Sequence, residues 1–302
     1  MTMATITTPQ TANCFLAHGE CFDGWASLWL AWLIHGDNAT YKEVFYNDPP
    51  PDVTGLNVAI FDFAYDRDVL ENMAEKANSI IVLDHHATNQ KKLEGLEFAI
   101  FDMARSGARM TYDWLEQNYP TFMDVRPQTN KLTQYVQDRD LWTWALPNTR
   151  EISAAMMMLP FTFEAWSQFA QELHVSQPLV VQTGAVVLQL IQKQVEKLAE
   201  SAKTKTLGGI PLWVVNGPYN CASELGNYLS QLPGPGVAAI WRHNHLKGTT
   251  YVSLRASKTS GVDVSLLAEK FGGGGHKLAA GFECDGNTNP LNLFEIIVDA
   301  QS

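Results

Sequence analysis

The sequence predicts an α/β protein of two lobes, an N-terminal parallel-sheet α/β domain and a smaller C-terminal α/β domain joined by a helical linker. Three observations lead there. Short aliphatic runs at 14–17, 58–61, 80–83 and 98–101 alternate with helical spacing, and each run ends in a polar residue. Uninterrupted apolar runs of this length are the mark of strands buried on both faces, as in parallel sheets. From about Gln128 the pattern is helical only, and from Pro211 strands return. These breaks place a first domain at 1–175, a helical linker at 176–205 and a second domain at 206–302.

In chain order, residues 1–12 are Thr-rich and polar and read as a loose tail. Cys14 to Ala17 is a strand that ends in His18-Gly19-Glu20-Cys21-Phe22-Asp23-Gly24. Trp25 to Ile34 has helical spacing, and Gly36-Asp37-Asn38 stops it. Trp25, Trp29 and Trp32 recur at that spacing and read as core. Thr40 to Tyr46 is a strand, Val58 to Phe61 another that ends at Asp62, and Asp66 to Ala77 a helix. Ile80-Ile81-Val82-Leu83 then runs into Asp84-His85-His86. Phe98 to Phe101 ends at Asp102, and Ser106-Gly107 opens a helix to about Gln117.

Lys131 to Val136 leads into Asp138-Arg139-Asp140-Leu141-Trp142, followed by helices over 161–173 and 179–202. In the last third, Pro211 to Val215 is a strand and Ala222 to Leu229 a helix. Val237 to Trp241 and Tyr251 to Leu254 form a hairpin, and Asp263 to Phe271 is a helix. Gly272-Gly273-Gly274-Gly275-His276 and the strand Ala279 to Phe282 come next, and a helix from about Leu291 to Ala300 closes the chain.

Composition narrows the function. The formal charge is −11, which argues against a broad basic groove for long duplex nucleic acid but leaves room for a small anion held by a few cations or metal ions. The four cysteines, Cys14, Cys21, Cys221 and Cys284, have no CxxC spacing and suit a reducing compartment. No apolar run reaches membrane-spanning length and the first 13 residues are not a signal peptide, so the expected location is cytoplasmic, without membrane contact.

The chemistry sits at strand ends. His18 with Asp23, then Asp62, then Asp84-His85-His86 follow three strands, and Asp138 and Asp140 add carboxylates from the helical stretch. Ligands of open α/β sheets bind outside the carboxyl ends of the strands. Each residue alone could be a cap or turn former. Together they suit a site for two divalent ions, with Mn²⁺ or Mg²⁺ matching the hard oxygen and imidazole donors. Two such ions about 3.5–4 Å apart can clamp the attacking and leaving oxygens of a phosphoryl displacement. In the second domain, Gly273, Gly274 and Gly275 with His276 allow close backbone approach to a phosphate or sugar. A flexible linker is the competing reading. Arg255 is a candidate phosphate cation, against a plain surface role. Ser106 is a further candidate phosphate contact, although capping of its helix is preferred.

Asp84-His85-His86 resembles the signature of the DHH phosphoesterases. Gly272 to His276 with Ala279-Ala280-Gly281 is similar to the signature of the domain that follows it in that family, as are Ser253-Leu254-Arg255, Asp263-Val264 and Ser223-Glu224-Leu225-Gly226. The resemblance covers about Phe15 to Cys284. It implies a two-lobed enzyme with its site in the cleft between lobes, dependent on a divalent metal, most readily Mn²⁺, with two ions. It implies one ion held by Asp23, Asp62, His85 and an Asp of the 138–140 segment, with Asp138 preferred and Asp140 the runner-up. The other ion shares Asp23 and Asp62 and adds His18. His86 meets the scissile phosphate or supports the site, Asp84 orients a histidine, and Arg255, Gly274, Gly275 and His276 hold the nucleotide.

The first motif departs from the family pattern His-x-Asp-x-Asp: it is one residue longer, and Cys21 stands two places before Asp23. Either Cys21 or Glu20 replaces one carboxylate, and a thiolate there favours Zn²⁺. The expected activity is a phosphodiesterase of exonuclease type that cuts short oligonucleotides or dinucleotides to nucleoside monophosphates. The alternatives are a nucleotide bisphosphate phosphatase, a cyclic-dinucleotide phosphodiesterase, or a non-catalytic nucleotide-binding regulator.

Overall fold

The computed structural model describes residues 5–46, 48–124, 126–246, 248–285 and 293–296. The chain divides into two compact units, Met1–Val187 and Leu188–Ser302.

The first unit is built on a five-stranded parallel sheet in the order β2-β1-β3-β4-β5. Its strands are β1 (Cys14–His18), β2 (Thr40–Val44), β3 (Asn57–Phe61), β4 (Ser79–Asp84) and β5 (Ala99–Phe101). Alternate residues leave a strand on opposite faces, so each aliphatic run feeds two cores. Phe15, Ala17, Ala59, Phe61, Ile81 and Leu83 face one core. Cys14, Leu16, Val58, Ile60, Ile80 and Val82 face the other. This double burial is why the runs lack polar alternation.

The first core is covered by α1 (Phe22–His35), α4 (Gly107–Glu116), α6 (Pro127–Asp140), α7 (Thr149–Met156) and α8 (Phe163–Val175). Trp25 and Trp29 lie inside it, and Trp29 Nε1 donates to Ser167 Oγ at 2.9 Å. The second core receives Leu70 and Met73 from α2 (Arg67–Lys76). Two short helices, α3 (Ala87–Lys92) and α5 (Pro120–Asp124), have no periodic apolar signal. Residues 5–12 of the expected loose tail pack on the sheet: Ile6 bridges Ile80, and Thr7 Oγ1 donates to Ser79 Oγ at 2.8 Å. It pairs at the start of β4, below the reach of the short β5.

The division between the units falls inside α9 (Gln177–Ala199), the long helix read as a linker. The second unit holds a mixed sheet in the order β10-β11-β9-β8-β7-β6-β12. Its strands are β6 (Lys203–Leu207), β7 (Ile210–Asn216), β8 (Val237–Asn244), β9 (Thr249–Ala256), β10 (Gly274–His276), β11 (Ala279–Asp285) and β12 (Glu295–Ile296). Among the described residues of this unit only β7 and β8 pair in parallel, joined by α10 (Ala222–Gln231). The core of this unit packs under α11 (Val264–Glu269). The helix expected over about 291–300 lies mostly outside the described residues. Where described, Glu295 and Ile296 pair with β6 as a strand instead. Among the described residues no helix is long and apolar enough to cross a membrane.

Gly184 of α9 makes a close approach that only glycine permits. A Cβ there would stand 1.7 Å from the carbonyl oxygen of Glu151 in α7. Gly184→Ala is therefore expected to destabilise the fold by about 1–3 kcal/mol, measured by urea denaturation.

Candidate metal centre

The strand order of the first unit reverses direction between β1 and β3, and such a switch point opens a crevice at the carboxyl ends of the strands. Three chain segments leave the sheet there: His18 to Asp23 after β1, Asp62 after β3, and Asp84 to His86 at the end of β4.

His85 is the hub. Its Nε2 lies 3.2 Å from Asp62 Oδ1, 3.3 Å from Asp140 Oδ2 and 3.8 Å from Asp23 Oδ2. Burial pulls the imidazole down, yet Asp140, Asp62 and Asp23 together push it up to about 11. Burial, then Asp62 and Asp140, raises the Asp23 carboxyl. Burial also raises Asp140. Three carboxylates around one nitrogen create a strong demand for positive charge at that point.

Each carboxylate is placed by a specific local device. Asp23, in the first turn of α1, accepts from the Gly107 amide at 2.5 Å and the Ala108 amide at 3.0 Å, the first turn of α4. A carboxylate is favoured there by the orphan amides of a helix start. Gly107 must be glycine, since a Cβ would sit 2.5 Å from Asp62 Cβ and 2.9 Å from Asp23 Oδ2. Asp62 has a left-handed backbone, φ +52°, which turns the chain sharply off β3. Left-handed non-glycine residues are held by their surroundings and cluster at functional sites. Its two oxygens face different partners: Oδ1 faces His85, and Oδ2 accepts from Cys21 Sγ at 3.3 Å. Burial opposes its charge, but the His85 hydrogen bond and the nearby His86, His85 and His18 hold its carboxyl low.

Asp84 is fully buried and works on its neighbours. Oδ1 accepts from the His85 amide at 2.8 Å and faces His86 Nδ1 at 2.7 Å, while Oδ2 accepts from Asn89 Nδ2 at 2.8 Å. It therefore orients His86, as a carboxylate behind a histidine does. His18, half-buried at the end of β1, groups with Cys21 and Asp62, their donor atoms within 4.8 Å of one another. Glu20 does not join them: it is exposed, left-handed at φ +52°, and its amide donates to Glu43 Oε1 at 2.9 Å.

The preference for Asp138 over Asp140 is reversed. Asp138 accepts from the Ala145 amide at 2.8 Å, the Leu146 amide at 3.1 Å, Thr149 Oγ1 at 2.5 Å, and also Thr143 Oγ1. It staples the loop after α6, in which Trp142, Trp144 and Asn148 are left-handed. Arg139 and Arg150 stack on that loop's indoles, at 4.7 Å from Trp142 and 4.1 Å from Trp144. Residues two apart on a helix point to different sides, so Asp138 serves the loop and Asp140 faces His85. Asp140 Oδ2 is buried and accepts no hydrogen bond. Ser106 takes the capping role preferred for it over a phosphate contact: it is buried and caps α4, its Oγ accepting from the Arg109 amide at 3.3 Å.

The second unit carries its own candidates. The glycine run is no linker, for β10 pairs with β11 as Gly274 opposite Gly281, Gly275 opposite Ala280 and His276 opposite Ala279. Gly273 is obligatory because a Cβ would lie 2.1 Å from the Gly281 carbonyl oxygen. Arg255 lies opposite Ala279, so Arg255 and His276 occupy one row across three strands and leave the same face. Arg255 Nη2 donates to Ser223 Oγ at 2.8 Å, and Gly226 of α10 gives its stem room.

The donors present suit a divalent cation. The orphaned oxygen of Asp140, the three carboxylates on His85 and the divided contacts of Asp62 are what an ion would complete. Sequence reading missed the Gly107 and Ala108 amides that fix Asp23, and Asn89 behind Asp84. The helix start at Ser106-Gly107 was a usable signal for the first, whereas Asn89 sits on a six-residue helix with no pattern.

No family model matches the chain. An uncharacterized protein of Acanthamoeba polyphaga mimivirus is 28% identical over 295 residues, covering 90% of this chain and 67% of that protein. Among solved structures, the DHH domain of a member of the s1p family of ribosomal proteins is 13% identical with a TM-score of 0.62, covering 94% of this chain and 85% of that chain. A pGpG-specific phosphodiesterase from Vibrio cholerae is 14% identical with a TM-score of 0.43, covering 90% of this chain and 93% of that chain, a likeness too loose to bear on function.

Asp138 and Asp140 separate experimentally. Asp138→Ala leaves buried donors unpaired and is expected to cost about 1–3 kcal/mol in urea denaturation. Asp140→Asn is expected to keep the metal-free midpoint near that of wild type while lowering divalent-ion affinity by calorimetry.

Proposed function

We propose that this chain, which has the fold of the DHH superfamily, is a divalent-metal-dependent phosphoesterase. Its reaction is hydrolysis of phosphodiester bonds in short oligonucleotides or dinucleotides, releasing nucleoside monophosphates. The observation that carries this reading is Asp62, whose two oxygens face two separate donor groups, His85 with Asp23 and Asp140 on one side, His18 with Cys21 on the other. A carboxylate placed that way is suited to bridge two ions. Divalent ions supply Lewis-acid stabilisation of phosphoryl charge when bound.

The chain's own residues do the rest. Asp23, Asp62, His85 and Asp140 would hold one ion, and Asp62 and His18 would reach the other. Mn²⁺ matches the oxygen-rich first set. Asp84 fixes His86 through Nδ1, so Nε2 is the atom that would meet a phosphate oxygen or move a proton to the leaving group. In the second unit, Arg255 and His276 on one row form a basic face for a terminal phosphate. The net charge of −11 favours a short substrate over a long polyanion.

The reading is tested by hydrolysis of labelled di- to pentanucleotides of RNA and DNA with Mn²⁺. Monophosphate release is expected from wild type, with loss in chelator and recovery on adding Mn²⁺. Asp62→Ala and His85→Ala are expected to lower turnover at least about 100-fold, given what ligand-supporting groups alone contribute. Equal activity in all three proteins would overturn the assignment.

A further inference from the structure

The two donor groups that Asp62 joins are chemically unequal. One is imidazole with carboxylates: His85, Asp23, Asp140. The other contains a thiol: His18, Cys21, Asp62. Cys21 precedes α1 in extended conformation, φ −120° and ψ 134°, which sets its sulfur at the helix start beside the Gly24 amide. From there Sγ points to Asp62 Oδ2, 3.3 Å away. The backbone favours this choice: Glu20, the neighbouring carboxylate residue, is exposed and left-handed, and its amide donates to Glu43 Oε1. The helix start behind Cys21 packs closely on the end of β1, where a Cβ at Gly24 would meet the His18 carbonyl oxygen at 2.3 Å.

From this we infer that Cys21 is a thiolate ligand of the second ion. The centre is therefore built for two different metals, a hard ion at His85 and a borderline, thiophilic ion such as Zn²⁺ or Co²⁺ at His18 and Cys21. The inference rests on the metal-centre reading above and adds the division of labour. Thiolate and imidazole select Zn²⁺ and Co²⁺, whereas Mg²⁺ keeps to oxygen. The thiol proton leaves to solvent as the ion binds.

The test is spectroscopic and independent of activity. The full chain, stripped of metal, is titrated with Co²⁺, and bound ions are counted beside the near-ultraviolet absorption. Wild type is expected to bind two Co²⁺ and to show thiolate-to-cobalt charge transfer. Cys21→Asp is expected to bind two ions without that band, and to lose at least tenfold in Zn²⁺ affinity relative to Mn²⁺. Cys21→Ser is expected to lose the band, which excludes Cys14, Cys221 and Cys284 as its source. Circular dichroism checks that each variant is folded. Two bound Co²⁺ with no charge-transfer band in wild type would overturn the role of Cys21 alone. No bound Co²⁺ at all would overturn the metal-centre reading with it.

Discussion

The first unit depends on a concentration of negative charge that its own atoms do not neutralise. Asp23, Asp62 and Asp140 converge on a single imidazole nitrogen of His85, inside a crevice where water screens little. Left uncompensated, buried carboxylates destabilise a fold. The chain gives two of them hydrogen-bond partners, helix-start amides for Asp23 and the sulfhydryl and an imidazole for Asp62, and leaves Asp140 Oδ2 without a hydrogen bond, beside the charge of that imidazole. The arrangement has the logic of a cation site, with backbone donors fixing Asp23 and buried side chains lining the rest.

Rigidity comes from the sheet and from glycine. Gly107 and Gly24 bring backbone against the site at distances that no side chain allows. Asp62 is held left-handed at the end of a strand that pairs on both sides, with its own amide bound to the Leu83 carbonyl at 2.9 Å. Asp138 adds support at one remove, fixing the loop after α6 and so the last turn from which Asp140 projects. Residues of one short segment thus split into a builder and a candidate ligand.

Much of this was legible in the residues. The aliphatic runs gave the strands and their burial on both faces, and the polar residues that ended them gave the edge at which chemistry would gather. Asp84, at the end of the run Ile80 to Leu83, stands 2.7 Å from His86 Nδ1. The glycine run with His276 lies where a built element was preferred to a linker, and the packing shows the reason: Gly273 and Gly275 lie against β11 with no space for a side chain. Ordering of residues 5–12 was not legible, because a single bridge and one threonine pair leave no periodic trace.

What the sequence determined by itself was the fold class, the order of the units and the set of strand ends that carry metal-competent side chains. These follow from local spacing, which a chain expresses whatever its distant neighbours do. Tertiary structure alone decided which of those side chains meet. Asp138 and Asp140 differ by two positions, about half a helical turn, and only the docking of α6 chooses which one faces His85. Cys21 and Glu20 differ by one, and only the left-handed turn before α1 chooses between them. Such choices depend on how helices seat against a sheet, and seating is set by contacts far apart in the chain.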